Sequence, residues 1–462
     1  MQHKLFFRLF SGLLAALLLA LGLVAPLASA PLASAPPAFS LTPQQNATAA
    51  QVDSSPLSAT ADILRTVSRL RELSIIEPVK SGFKTHDEIE ESVIKDLNEN
   101  STPEEFESSA KMLTKLGLLP PGFQLRDYVV KLLKEQIAGY YEPKTKVFYL
   151  AAWLPLSEQK TVMAHELTHA LQDQHFNLRR FEKWPKGDSD AELAAHSVVE
   201  GEATIVMIEY NLDKSGTGMA ITRLPPLTER MLQDEQDTDA AKYPVLAAAP
   251  AVLRENLAFP YIYGAGFVQE VLKQRSWRTL DGCYQHLPSS SAQIMHPEKF
   301  LAGEDPVKIQ IGPLESALGS GWKRADQDVN GEFGYLMALE QFINKGRATQ
   351  AVSGWAGDRY ALYENKQSGA EVLAQYTTWE NPEAAREFFD AYSVRTRLRY
   401  KDATPGRAEP GEVVYKTHEG MAFISIRDKD VVMVEGASTP EQLKAVVGLL
   451  WKSTKTPAHT SQ

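Results

Sequence analysis

Residues 157–175 read SEQKTVMAHELTHALQDQH, and the reading of this stretch organises everything around it. Ser157 is a candidate N-cap, Glu158 falls in a first turn, and Val162, Leu167 and Leu171 make an apolar stripe. The stretch therefore predicts an amphipathic helix ending near His175. His165 and His169, four residues apart, would project from one side of it with Cβ atoms roughly 6 Å apart. That spacing lets two imidazoles bind a single tetrahedral ion. Glu166 would face the open coordination position, where a carboxylate can take a proton from activated water and later return it to a leaving amine.

A third ligand has to come from elsewhere in the chain. The next strong helical pattern runs from Ser189, with Ser189 and Glu192 as a capping box, to about Tyr210. It offers His196, Glu200 and Glu202. Glu200 shares a face with His196, Ala203 and Thr204, which leaves room for metal and substrate. Glu202 lies among Val198, Val199, Ile205 and Val206, where a carboxylate has to be paired or metal-bound. The residues alone leave both glutamates open as ligands.

Upstream, residues 140–150 read as two short strands around a turn at Pro143. Helices are predicted from Ala59, over 86–98, over 103–117 and over 125–138. Residues 232–241 are acidic and polar and read as an exposed loop, and helix returns from Leu253 to Leu272. Beyond residue 320, helix-like segments at 331–345, 380–395 and 438–451 alternate with strand-like ones at Tyr360–Tyr363, Ala370–Trp379, Met421–Ile426 and Val431–Glu435. The fold class is α+β, a mostly helical core followed by a smaller α+β domain.

The N-terminus has its own pattern. Lys4 and Arg8 precede an apolar run from Leu9 to Val24, followed by Ala28-Ser29-Ala30 and Ala33-Ser34-Ala35. This describes a secretory signal peptide over 1–35. The alternative is an anchor retained through residues 9–25. No cysteine follows the apolar run, so a lipid-modified N-terminus is disfavoured. Residues 36–58 are rich in Pro, Ala, Ser, Gln and Thr and read as a disordered linker. The expected division is then 59–124 as an N-terminal helical region, 125–320 as the metal-binding domain, and 321–455 as the C-terminal domain.

Formal net charge is −10 over 462 residues, and cleavage after residue 35 removes Lys4 and Arg8 to leave −12. With no basic stripe, nucleic acid is excluded as a partner. The single cysteine, Cys283, rules out an intramolecular disulfide. No activating constellation surrounds it, so it is not read as a nucleophile.

The run Ala164-His165-Glu166-Leu167-Thr168-His169-Ala170 is similar to the metal helix of thermolysin-like enzymes, and Glu200-Gly201 resembles the downstream ligand helix of the gluzincins. That resemblance implies a zincin-like metallopeptidase core, one Zn2+ ion, and His165, His169 and Glu200 as its ligands. It further implies Glu166 as general base and a short strand edge, Val147–Leu150, beside the metal helix, to which an extended peptide can add. Glu202 then becomes a core-paired carboxylate. The sequence departs from the thermolysin pattern four residues after Glu200, where Thr204 replaces an Asp, and in the 30 residues (170–199) between His169 and Glu200. Asp173, one turn beyond His169, becomes the candidate for orienting an imidazole. Tyr263, Tyr284 and His296 are candidate oxyanion donors because each sits near a Gly- or Pro-marked break. The stretches Tyr263–Gly266, Gln293–Lys299 and Gly354–Tyr360 also resemble exported bacterial proteins of unassigned function that carry the same helix. Gly354–Tyr360 reads as a tight turn entering a strand, with substrate binding as its alternative role.

The expectation is an exported, periplasmic or extracellular, zinc metalloendopeptidase with a peptide or protein substrate. Membrane contact is expected only if the N-terminal segment is retained. The competing class is a zinc-stabilised envelope or binding protein without turnover, against which an intact Glu166 argues.

Overall fold

A computed structural model describes residues 59–154, 156–184, 187–236 and 240–456. The expected signal peptide and linker lie outside the described residues. The chain is α+β. Among the described residues no helix is long and apolar enough to cross a membrane.

Four helices lead in, α1 (Thr60–Arg71), α2 (His86–Asn100), α3 (Pro103–Lys115) and α4 (Leu125–Gln136), with strand β1 (Lys80–Lys84) between the first two. Thr85 and Thr102 each close a capping box on α2 and α3 through Glu88 and Glu105, which satisfies the first free N–H groups of those helices. The hairpin β2 (Gly139–Glu142) and β3 (Val147–Ala151) follows. Strand order is β1-β3-β2, with β1 parallel to β3, Lys80 opposite Val147, and β2 antiparallel to it. Val147–Leu150 is thus the centre of this sheet and not its edge. Lys80–Lys84 carries no alternating pattern, Lys-Ser-Gly-Phe-Lys, and its partner strand alone makes it a strand. The side facing the next helix belongs to β2.

That helix is α5 (Leu156–Phe176), which begins one residue before the expected Ser157 cap. A 3₁₀ segment, Leu178–Lys183, connects it to α6 (Ser189–Ser215). Asp188, and not Ser189, caps α6 by accepting from Ala191 N–H. The acidic stretch expected as a loop is partly helical, since a helix spans Leu227–Gln236. The 24-residue α7 (Ala251–Gln274) packs across α6.

The C-terminal part is a seven-stranded antiparallel sheet of β4 (Trp322–Asp328), β5 (Trp355–Asn365), β6 (Ala370–Trp379), β7 (Thr404–Pro405), β8 (Glu412–Thr417), β9 (Gly420–Arg427) and β10 (Asp430–Ala437). Its order is β4-β5-β6-β10-β9-β8-β7. Helices α8 (Gly331–Glu340), α9 (Pro382–Arg399) and α10 (Pro440–Leu450) cover it. Side chains alternate between faces as strand geometry demands. Tyr360, Leu362, Leu373, Val431 and Met433 join a core that runs without a break back to Ile63. Ala361, Tyr363, Val372, Ala374, Val432 and Val434 form a second core under α10. One continuous core therefore links the N-terminal helices, α5 and α6, and one face of the sheet.

The stretch Gly354–Tyr360 cements this junction. Asp358 accepts from the N–H groups of Asn330 and Gly331 and from the Trp355 indole, fixing the start of α8. Arg359 donates to the carbonyls of Ile309 and Gly187, the latter just before α6. These contacts are structural.

Candidate metal centre

Two helices and their crossing partner build the site. On α5, His165 and His169 stand one turn apart with rings edge-on at 4.7 Å. From α6, Glu200 Oε2 approaches both, 3.2 Å from His165 Nε2 and 3.3 Å from His169 Nε2. The two Nε2 atoms are 3.1 Å apart. Ligand atoms of a tetrahedral ion with bonds of about 2.0–2.1 Å lie roughly 3.3 Å from one another. The three donors are therefore spaced to hold a metal ion, and all three residues are at most 2% exposed.

His169 is set by Gln172, which sequence reasoning missed. Gln172 Nε2 donates to the Val199 carbonyl, so its Oε1 is the atom that meets His169 Nδ1 at 2.7 Å. The proton of that contact belongs to Nδ1, which leaves Nε2 as the nitrogen that faces Glu200. Burial works against the charged imidazole, but Glu200 beside it raises His169 to about 9. The spacing was visible as residue i+3 on the same helix. Asp173 serves a different purpose: its carboxylate accepts from the Tyr141 hydroxyl and from the Leu178 N–H, closing the end of α5.

Glu166 is fully buried. Tyr141 N–H, on the outer edge of β2, donates to its Oε2 at 2.9 Å, while Oε1 has no hydrogen-bond partner. Burial pushes its carboxyl up to about 8. Burial also works against Glu200, but His169 and His165 beside it hold that carboxyl low.

Glu202 has no part in this group. It forms a buried ion pair with Arg71 of α1, Nε to Oε1 at 2.6 Å, and accepts from the Tyr284 hydroxyl at 2.8 Å. Arg71 also reaches Asp281 and lies over the Trp277 ring. Tyr284 is thereby committed to Glu202. His296 pairs with Glu332 at 2.8 Å, and Tyr263 packs on Phe259 and Phe333. These three candidate oxyanion donors all face other partners.

The tyrosine at the metal group is Tyr261. It is buried, its ring lies 6.1 Å from that of His165, and burial with the charges of Glu200 and Glu166 raises its hydroxyl pKa well above the ordinary range. Its placement follows from two glycines. A Cβ on Gly201 would sit inside 3.0 Å of the Gly264 backbone, and one on Gly264 inside 3.0 Å of the Ser197 carbonyl. At that crossing α6 and α7 touch backbone to backbone, which brings Tyr261, one turn before Gly264, against the neighbour of Gly201. The Gly-rich run was visible in the sequence, but its role as a helix crossing was not.

His196, one turn before Glu200, borders a small cavity with Tyr141, Pro143, His169, Leu178 and Phe181. Burial pushes its pKa down to about 4, so it is neutral. Leu178 and Phe181, 4% and 1% exposed, close the group from the 3₁₀ segment. Cys283 is buried with its thiol pushed up to about 12, the opposite of a nucleophile.

A family model described as a domain of unknown function, DUF8575, matches residues 318–447, which is the sheet-bearing part and excludes the metal group. No curated protein and no solved structure matches the chain.

Proposed function

We propose that the chain is an exported zinc-dependent peptidase in which His165, His169 and Glu200 hold one zinc ion. The observation that carries this reading is the pairing of three suitably spaced donors with a buried carboxylate oxygen, Glu166 Oε1, that has no partner of its own. A zinc ion held there lowers the pKa of water to near 7 and polarises a carbonyl. Glu166, anchored through Oε2 by the Tyr141 amide, takes the proton from the attacking water on Oε1 and delivers it to the departing amine. Tyr261 donates to the oxygen that gains charge at the scissile carbonyl. Gln172 keeps His169 in the tautomer whose Nε2 is free to bind.

His165, His169 and Glu200 are at most 2% exposed, so turnover requires the site to open. Export rests on the pattern of residues 1–35, and N-terminal sequencing of the exported chain separates cleavage from anchoring.

Glu166→Gln tests the chemistry. It should retain one zinc per chain and lower casein hydrolysis by about 10²–10⁴-fold. Undiminished cleavage would sink the mechanism. The near-complete burial of the ligands favours a second reading, a zinc-stabilised protein without turnover. In that case the parent chain binds zinc, gains thermal stability from it, and cleaves neither casein nor short peptides.

A further inference from the structure

The long helix α7 has another working face, one or two residues round from Tyr261. There Ala258, Phe259 and Ile262 of α7 and Phe333, Leu336 and Met337 of α8 floor a cleft of about 440 Å³. That volume is in the range of small-molecule sites, roughly 300–1,000 Å³. Four charged side chains line the same cleft: Arg254, Glu255, Glu340 and Lys345.

The charges are not equivalent. The Lys345 side chain is 62% exposed and its Nζ stands 3.9 Å from Glu340 Oε1, so water screens it. Arg254 is turned toward the Ala249 carbonyl at 3.4 Å. The Glu340 side chain is only 14% exposed, and its Oε1 is buried without a hydrogen-bond partner. Burial raises Glu340 to about 7, with Lys345 opposing and Glu255 adding to the rise, and burial raises Glu255 against the pull of Lys345 and Arg254. A further cation reaching both would offset the desolvation of the two carboxylates.

We propose that this cleft binds a small primary ammonium carried on an aromatic or branched aliphatic body. The apolar part lies on the α7–α8 floor and the ammonium between Glu255 and Glu340. Three ammonium donors suit two carboxylates, and the buried Glu340 oxygen gains the partner it lacks. The site is independent of the metal group and of the peptidase reading.

Calorimetric titration of the full chain with 2-phenylethylamine tests it, with 2-phenylethanol and 3-phenylpropionate as neutral and anionic counterparts of the same shape. The amine should bind saturably at one per chain, and each counterpart at least about tenfold more weakly. Glu340→Gln should weaken the amine by a similar factor. So should Ala247→Trp, which fills the exposed rim without entering the core. Glu200→Gln should leave amine binding unchanged. Absence of amine binding overturns the proposal, as does an alcohol or acid that binds as well. Loss of binding in Glu200→Gln with retention in Glu340→Gln would place the amine at the metal group and overturn it too.

Discussion

Glu202, on one face of α6, is enclosed by Arg71 and Tyr284, with Trp277 stacked beneath the guanidinium. Glu200, two residues earlier and some 200° away round the helix, meets His165 and His169, beside a carboxylate with an oxygen to spare. Both carboxylates are buried, and both are paired with groups able to carry positive charge. The difference lies in which groups are left over. In the Glu202 cluster both oxygens of Glu202 have a donor, and the orphan is itself a donor, Arg71 Nη1. In the Glu200 cluster Glu166 Oε1 and His165 Nδ1 have none. A buried carboxylate with both oxygens satisfied fixes a structure, whereas an unpartnered carboxylate oxygen beside three closely spaced donors keeps capacity for an ion and a reaction.

The sharpest way to break this comparison is to exchange the two losses. Glu200→Ala should reduce bound zinc from one per chain to none by atomic emission, while Glu202→Ala should keep it. Equal metal content in the two variants would collapse the distinction. Next in size is the removal of the guanidinium. Arg71→Met strands Glu202 as an unpaired buried charge and should lower unfolding free energy by about 3–5 kcal/mol in urea titration. Zinc stoichiometry should survive in the fraction that folds. Tyr261→Phe should lower kcat by about 10²–10³-fold with zinc content and KM little changed, the signature of a lost transition-state contact. Smallest is Gly264→Ala. Its Cβ collides with the Ser197 carbonyl and should destabilise by about 1–3 kcal/mol, read as a lower Tm. If the variant is as stable as the parent, the backbone crossing is not what sets Tyr261.

Much of the architecture was legible along the chain, because local pattern and tertiary role coincide there. The strand expected at Ala370–Trp379 has those bounds in the structure, and the unbroken apolar run of β10 serves two cores at once. The helices expected over 86–98 and 103–117 are α2 and α3, each started by a threonine cap. Where local signals misled, a distant partner had won. Asp188 outcompetes Ser189 as the α6 cap, and Ser189 N–H is taken by Asp328 of the sheet. β1 exists only because β3 offers it a ladder of hydrogen bonds, and its arrival turns the presumed edge into a centre. The N-terminal helices, set apart as a region of their own, share the core of the metal helices and supply Arg71 to it.

By itself the sequence determined the pair of histidines and the glutamate between them, since a four-residue spacing on a helix fixes their common face before any neighbour is placed. It also offered His196, Glu200 and Glu202 on 189–210 as candidates for a third ligand. Which one could be decided only in three dimensions. The selection of Glu200 depends on the angle at which α6 meets α5, and the exclusion of Glu202 depends on an arginine 131 residues away. The selection of Tyr261 over Tyr263 depends on a crossing of two glycines. Such choices rest on contacts between segments remote in the chain, and no local periodicity encodes them.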